Sequence, residues 1–331
     1  MAAGVFSSDQ LSAYQAAAAK YKKELLALPV MGLQEILPYA TVVTGIRYKQ
    51  VVGNPSLNVE LSPYSASLHT NENLAVVFRE LETYLGAVNW EFDPHSVLNK
   101  IIGETMSMQT EGMKDSDIAR QCVQTIARNI ARSLNASLWS ATRNSSGTTT
   151  ATLFNGYDTI TATEITGGGI ATAKHNLYEF DAALTASNAV TKLKAMYRAA
   201  SPELRSQETV MFVSQDILDL YNDHYETLHA ATPYNERFEQ TMLEGSNNRC
   251  ALVALSSKAS SPYVHLTTKE NMLIGCDQMS DMETVEVARF NAFTLNFIVK
   301  MFFGVNFETL DSRRLLVGKL YQAPAQTENP G

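Results

Sequence analysis

Cysteine is scarce: Cys122, Cys250 and Cys276 are the only three, none in a C-x-x-C pair, so neither a disulfide framework nor a thiolate metal site is expected. A reducing compartment is the simpler reading. Basic residues are also in deficit, 26 against 34 acidic ones for a net charge of -8, which argues against tight grip on nucleic acid through its phosphates. No window approaches the ~18 consecutive apolar residues of a membrane span, and the start lacks the basic and apolar regions of a secretion signal. Reactive motifs are missing as well. There is no G-x-G-x-x-G, no G-x-x-x-x-G-K-[ST] and no G-x-S-x-G, and Gly167-Gly168-Gly169 reads as a hinge loop.

The six histidines are dispersed. Only His224 and His229 are close, and five residues on a helix place them about 140° apart, off a common zinc-binding face. Asp216, Asp219, Asp223 and Glu226 recur along the same helix, a spacing more typical of a solvated face than of a cation ladder. Neither a cofactor nor a metal is expected.

What is present is shape. A 45% hydrophobic content supplies a sizeable core, and 331 residues suggest about two domains. Ser7 to Gln10 has the form of a capping box, after which Leu11, Tyr14, Ala18, Tyr21, Leu25 and Leu28 form an apolar seam at helical spacing that Pro29 ends. Between Gly45 and Glu80 alternation replaces helical periodicity, predicting a long two-stranded excursion with a turn at Gly53-Asn54-Pro55-Ser56. A lone ribbon is marginally stable in water, so this one should rest on something else, such as another copy.

Asp93-Pro94 opens a short helix that Gly103 closes. From Asp115 to Trp139 the series Ile118, Cys122, Ile126, Ile130, Leu134 and Leu138 predicts a spine helix about 38 Å long, buried on more than one side. Arg128 and Arg132 lie on its polar side, where carboxylate partners are expected. Phe154-Asn155-Gly156-Tyr157 marks a turn, and a compact α/β module follows: helix over Asn176 to Ala200, buried strand over Thr209 to Val213, capped helix over Ser214 to Glu226, ending near Ser261-Pro262. Lys269 to Gly275 leads into two strands. Val285, Val287 and Arg289 alternate in the first; Leu295, Phe297, Val299, Met301 and Phe303 share one face of the second.

This order of parts resembles the major capsid proteins of tailed double-stranded DNA phages with the Hong Kong 97 fold. The diffuse patterns Phe154-Asn155-Gly156-Tyr157, Met211-Phe212-Val213-Ser214 and Asn271-Met272-Leu273-Ile274-Gly275 accompany it. The resemblance implies an α+β chain with an N-terminal arm over 1–44, an extended E-loop over 45–80 and a peripheral P-domain over 81–153 that holds the spine. An axial A-domain over 154–266 follows, with 267–331 returning to the P-domain and a C-terminal tail. It further implies a non-enzymatic homo-oligomer of hexamers and pentamers in an icosahedral shell around double-stranded DNA, assembled in the host cytoplasm.

A separate scaffolding protein, a portal and decoration proteins are implied partners; with no room for a long N-terminal scaffolding segment, a separate scaffold or a mature form is expected. The candidate assembly contacts are Leu11, Tyr14, Tyr21 and Leu25 on the arm, and Arg47, Lys49, Asn54 and Pro55 on the loop. Two alternatives stand: a nanocompartment shell enclosing a cargo enzyme, and an α/β enzyme within 176–261 using Asp216, Asp219 or His224.

Overall fold

The computed structural model describes residues 33, 35–52, 56–57, 74–75, 78–92, 125, 128–230, 241–277, 285–289 and 295–322. The arm residues Leu11, Tyr14, Tyr21 and Leu25, the loop residues Asn54 and Pro55, Cys122, and the helix expected after Asp93 lie outside them.

Two sheets organise the chain. The first is built on its longest strand, β13 (Leu295–Phe307). One edge of β13 is shared by β11 (Met272–Cys276) and β12 (Val285–Arg289), and the other carries β6 (Tyr84–Phe92), all antiparallel. A parallel strand, β1 (Thr41–Thr44), lies outside β11. The alternation expected from the sequence is observed: Val299 and Phe303 face the core, whereas Lys300 is exposed.

The second sheet has the order β7 (Leu177–Glu179), β14 (Leu315–Lys319), β10 (Tyr263–Thr267), β8 (Thr209–Val213), β9 (Cys250–Ala254). Every residue of β8 is buried, and period two divides them. Val210 and Phe212 enter a core shared with the first sheet, while Met211 and Val213 enter a second core under the module's helices. Two covered faces are what a continuous apolar run such as Thr-Val-Met-Phe-Val requires.

Helix α1 covers residues 128–137, the end of the expected spine. Its Ala131 and Leu134 are buried, whereas Arg128 and Arg132 are exposed. Burial along this stretch is one-sided, and most of the expected spine before it lies outside the described residues. The two arginines form no ion pairs within the described residues. The helix stops two residues before Trp139, because the next segment turns back: the amides of Tyr157 and Asp158 donate to the Leu138 and Trp139 carbonyls at 3.2 and 3.0 Å. These amides open α2 (Tyr157–Thr166), so one helix end satisfies the other.

The Phe-Asn-Gly-Tyr turn has a part for its side chains. Phe154 packs edge-on against Phe303, Asn155 accepts from the Arg143 amide at 2.8 Å, and the Tyr157 hydroxyl donates to the Leu273 carbonyl at 2.9 Å.

The helix expected over Asn176 to Ala200 is corrected. Its first residues form β7, parallel to β14, and helix begins only at α3 (Ala189–Ala199). Leu177 and Glu179 fall on one face of this strand and Tyr178 on the other, a period-two signal too short to stand against the longer helical stretch beside it. A short α4 (Pro202–Ser206) follows, capped by Ser201. Helix α5 (Gln215–His229) begins as expected at Ser214, whose Oγ accepts from the Ile217 amide at 3.3 Å.

The ribbon is observed, with its turn elsewhere. Strand β2 (Lys49–Val52) pairs with β5 (Arg79–Glu82), and β3 (Ser56–Leu57) pairs with β4 (Leu74–Ala75). Each step out along one arm matches one step back along the other in both pieces, so they share a single register. Gly53 to Ser56 therefore does not reverse the chain. Among the described residues, no helix is long and apolar enough to cross a membrane.

Candidate assembly surface and a buried ionic cluster

The ribbon leaves the body across the outer face of the first sheet, at a saddle made by two glycines. Gly275 and Gly304 are directly paired across β11 and β13. A Cβ on Gly304 would lie 2.0 Å from the Glu82 carbonyl oxygen, and one on Gly275 would lie 2.9 Å from the Thr83 side chain. Only glycine permits this approach.

Arg79 secures the crossing. Its Nη1 donates to Glu164 on α2 at 2.8 Å, Nη2 to Asn306 Oδ1 at 3.0 Å and Nε to the Phe307 carbonyl at 3.2 Å. Asn306 Nδ2 donates in turn to the Glu80 carbonyl at 2.7 Å. Ile46, Leu81 and Leu273 form a small buried cluster beneath.

Beyond this seat the surface turns apolar. Tyr48 is 67% exposed, Val51 59%, Phe78 65% and Leu85 50%. The Tyr48 ring meets Phe302 edge-on at 5.2 Å, and Phe302 is paired with Leu85 across β13 and β6. Tyr48 also has φ of 70°, the left-handed region that a bulky residue rarely adopts. The kink is held by its carbonyl, which accepts from the Thr83 amide at 2.7 Å. Backbone strain and exposed aromatic surface coincide there, a pairing characteristic of contact sites.

A second feature is buried. Lys258 is fully enclosed, with Nζ 3.3 Å from Asp158 Oδ1, 2.8 Å from Ser261 Oγ and 3.2 Å from His265 Nδ1. The same nitrogen lies 3.9 Å from the centre of the Trp139 ring. His265 stacks on Phe307, and its Nε2 is 2.9 Å from Thr161 Oγ1. Because Thr161 Oγ1 donates to the Tyr157 carbonyl at 2.8 Å, it accepts from His265 Nε2–H. The Nδ1 lone pair therefore faces Lys258.

Burial sets the protonation tendencies. It lowers the Lys258 ammonium to about 8, against the opposing pull of Asp158. It raises Asp158, against Lys258 and Ser261. It holds His265 well below its ordinary value, aided by the neighbouring Lys258 charge.

No family model and no curated protein matches the sequence. Solved structures do. A chain of the satellite phage P4 procapsid, a structure that includes the size determination protein, is similar over 90% of this chain and 91% of its own, at 11% identity and a TM-score of 0.56. A capsid chain of an empty GTA particle matches over 88% and 90%, at 13% identity and 0.52. A chain from the cyanophage A-1(L) capsid asymmetric unit matches over 89% and 93%, at 13% and 0.52. The chain has a phage capsid fold.

Within that α+β capsid fold the expected contact residues separate. Arg47 pairs with Asp277 at 3.0 Å, and Lys49 pairs with Glu80 at 3.0 Å and with Glu82. Both brace the ribbon's base. Sequence reading missed Tyr48, Phe78, Leu85 and Phe302; the signal available was an aromatic residue inside the charged run Arg47–Lys49. Asp216, Asp219, Asp223 and Glu226 lie on the exposed side of α5. His224 is buried, its Nδ1 accepting from the Val190 amide at 3.0 Å and so capping α3. These residues do not converge on a catalytic arrangement. Among the described residues, no group of three or more His, Cys, Asp or Glu is placed to hold a metal ion.

Proposed function

We propose that this chain is the structural, non-enzymatic subunit of an icosahedral phage capsid, assembling as hexamers and pentamers around double-stranded DNA. The observation that carries this reading is the seated ribbon. One copy fixes its base rigidly at the glycine saddle while leaving Tyr48, Val51, Phe78 and Leu85 uncovered. A shell subunit needs modest contacts on several sides at once, which closed symmetry then multiplies. The likeness of fold to the P4 procapsid and cyanophage capsid chains over about nine-tenths of the sequence supports the same reading.

On this proposal the arm is 1–44, the E-loop 45–80, the two parts of the P-domain 81–153 and 267–331, and the A-domain 154–266, with β14 (Leu315–Lys319) crossing back into the A-domain's sheet. Leu11, Tyr14, Tyr21, Leu25, Asn54 and Pro55 meet neighbouring subunits, while Arg47 and Lys49 hold the loop in shape for them. The net charge of -8 lets packed DNA lie against the shell without adhering. Assembly takes place in the host cytoplasm, with a scaffolding protein, a portal and decoration proteins as partners.

The purified chain should form megadalton particles on size exclusion and closed shells by electron microscopy. A monodisperse monomer across salt and concentration overturns the proposal. Particles filled with a single cargo protein instead of DNA assign the fold to a nanocompartment.

A further inference from the structure

We propose that the folded chain joins Lys258 to Asp158 covalently, through an isopeptide bond between Lys258 Nζ and Asp158 Cγ, with His265 moving the proton. Amide formation between two side chains needs a neutral amine, a protonated carboxyl group, contact between them, a proton carrier and a dry surrounding. Contact, a proton carrier and enclosure of the amine are present here, and burial biases both groups toward their neutral forms.

Nζ and Oδ1 are 3.3 Å apart in a site where Lys258 is fully enclosed. Held this close, the two groups react at the high effective concentration of an intramolecular pair. Burial disfavours both charges, which pushes the shared proton from the ammonium toward the carboxylate. His265 directs an unprotonated Nδ1 at the amine, because its other nitrogen is committed to Thr161. Trp139 and Phe307 flank the imidazole.

The step balances without oxidant or co-reactant. The Nζ lone pair forms a bond to Cγ, and the C=O pair moves onto oxygen. Nζ gives one proton to His265 Nδ1, which passes it to the departing hydroxyl. The C–O bond breaks, the carbonyl re-forms, and one water leaves. Asp158 borders an open cleft lined by Thr159, Ser261 and Tyr263, which gives that water a way out. The driving force is local: a neutral amide replaces an amine and a carboxyl group whose charged forms burial penalises.

The bond would close a loop between positions 100 residues apart, linking α2 to the turn before β10. Like a disulfide, it would constrain the unfolded chain more than the native one.

The test is the intact mass of the full-length chain after denaturation. A species one water lighter than the sequence is expected, together with a branched peptide carrying Asp158 and Lys258 after digestion. Lys258→Arg should restore the full sequence mass. Asp158→Asn should form the same amide and lose ammonia instead of water. His265→Gln should slow the mass change after synthesis by about a hundredfold, the scale of general acid–base assistance.

A wild-type chain at its sequence mass overturns the proposal. So does a water loss that persists in Lys258→Arg, which would place it in a cyclised aspartate elsewhere. The wild-type mass and its branched peptide decide the matter even where a variant fails to fold. Capsid assembly is a separate readout, so failure here does not touch the shell proposal.

Discussion

Gly304 and Gly275 stand opposite each other across β11 and β13, and the ribbon's backbone rests on the pair. The sheet's pleat supplies the groove; absence of side chains lets Glu82 and Thr83 sink into it. Gly304→Ala places a methyl group against the Glu82 carbonyl, a clash with backbone that no rotamer relieves. It should destabilise the chain by about 1–3 kcal/mol, measured by urea denaturation, and lower the yield of closed particles more than stability alone accounts for.

Arg79 directs one donor from each of its three nitrogens at a different partner: Glu164, Asn306 and the Phe307 carbonyl. Arg79→Met keeps much of the stem but leaves Glu164 without its cation and the carbonyl without its donor. A loss of about 2–3 kcal/mol is expected, the scale of hydrogen bonds to charged groups. Arg79→Lys should recover less than half, because a point charge cannot serve three directions. Thermal melting of the two variants checks the order.

His265 gives the chain an acid limit. An unfolded chain binds a proton at this residue near pH 6.5, whereas the folded chain holds the imidazole neutral to well below that value. Below about pH 6.5 the unfolded state therefore binds more protons, and stability falls as pH falls, by up to about 1.4 kcal/mol per unit from this group. Unfolding free energies measured between pH 7 and pH 5 should show this slope in the wild type, and His265→Gln should lack that component.

Tyr48, Phe78 and Leu85 are exposed in the single chain, so polar replacements there remove little internal packing. Tyr48→Ser and Leu85→Ser should change unfolding free energy by no more than about 0.5 kcal/mol. Particle formation, followed by light scattering, should fall sharply. Equal losses of stability and assembly would show that these residues act within the subunit and not between subunits.

How much of this could be read from residues alone depended on the range of the interaction. Strands β12 and β13, buried β8 and the capped start of α5 carry their patterns within a few residues, and all were legible. The module's first strand was not, because three residues of alternation compete with a long helical stretch beside them. The position of the ribbon's turn was missed because Gly-Asn-Pro-Ser has the composition of a reversal, yet both arms continue past it in one register. The saddle and the ionic cluster were invisible for a stronger reason. Lys258 and Asp158 are 100 residues apart, and a lysine after two serines gives no local sign that it will be enclosed.

The place of β14 sets a schedule on the molecule. Leu315 to Lys319 lies between β7 and β10, so the inserted module encloses a strand made long after its neighbours. Until that strand has been synthesised, β7 has no partner among the described strands and one edge of β10 stays open. Such long-range closure is slow. On the shell proposal, a subunit built this way cannot finish its second sheet before β14 emerges, which keeps chains still lacking that strand out of a growing lattice.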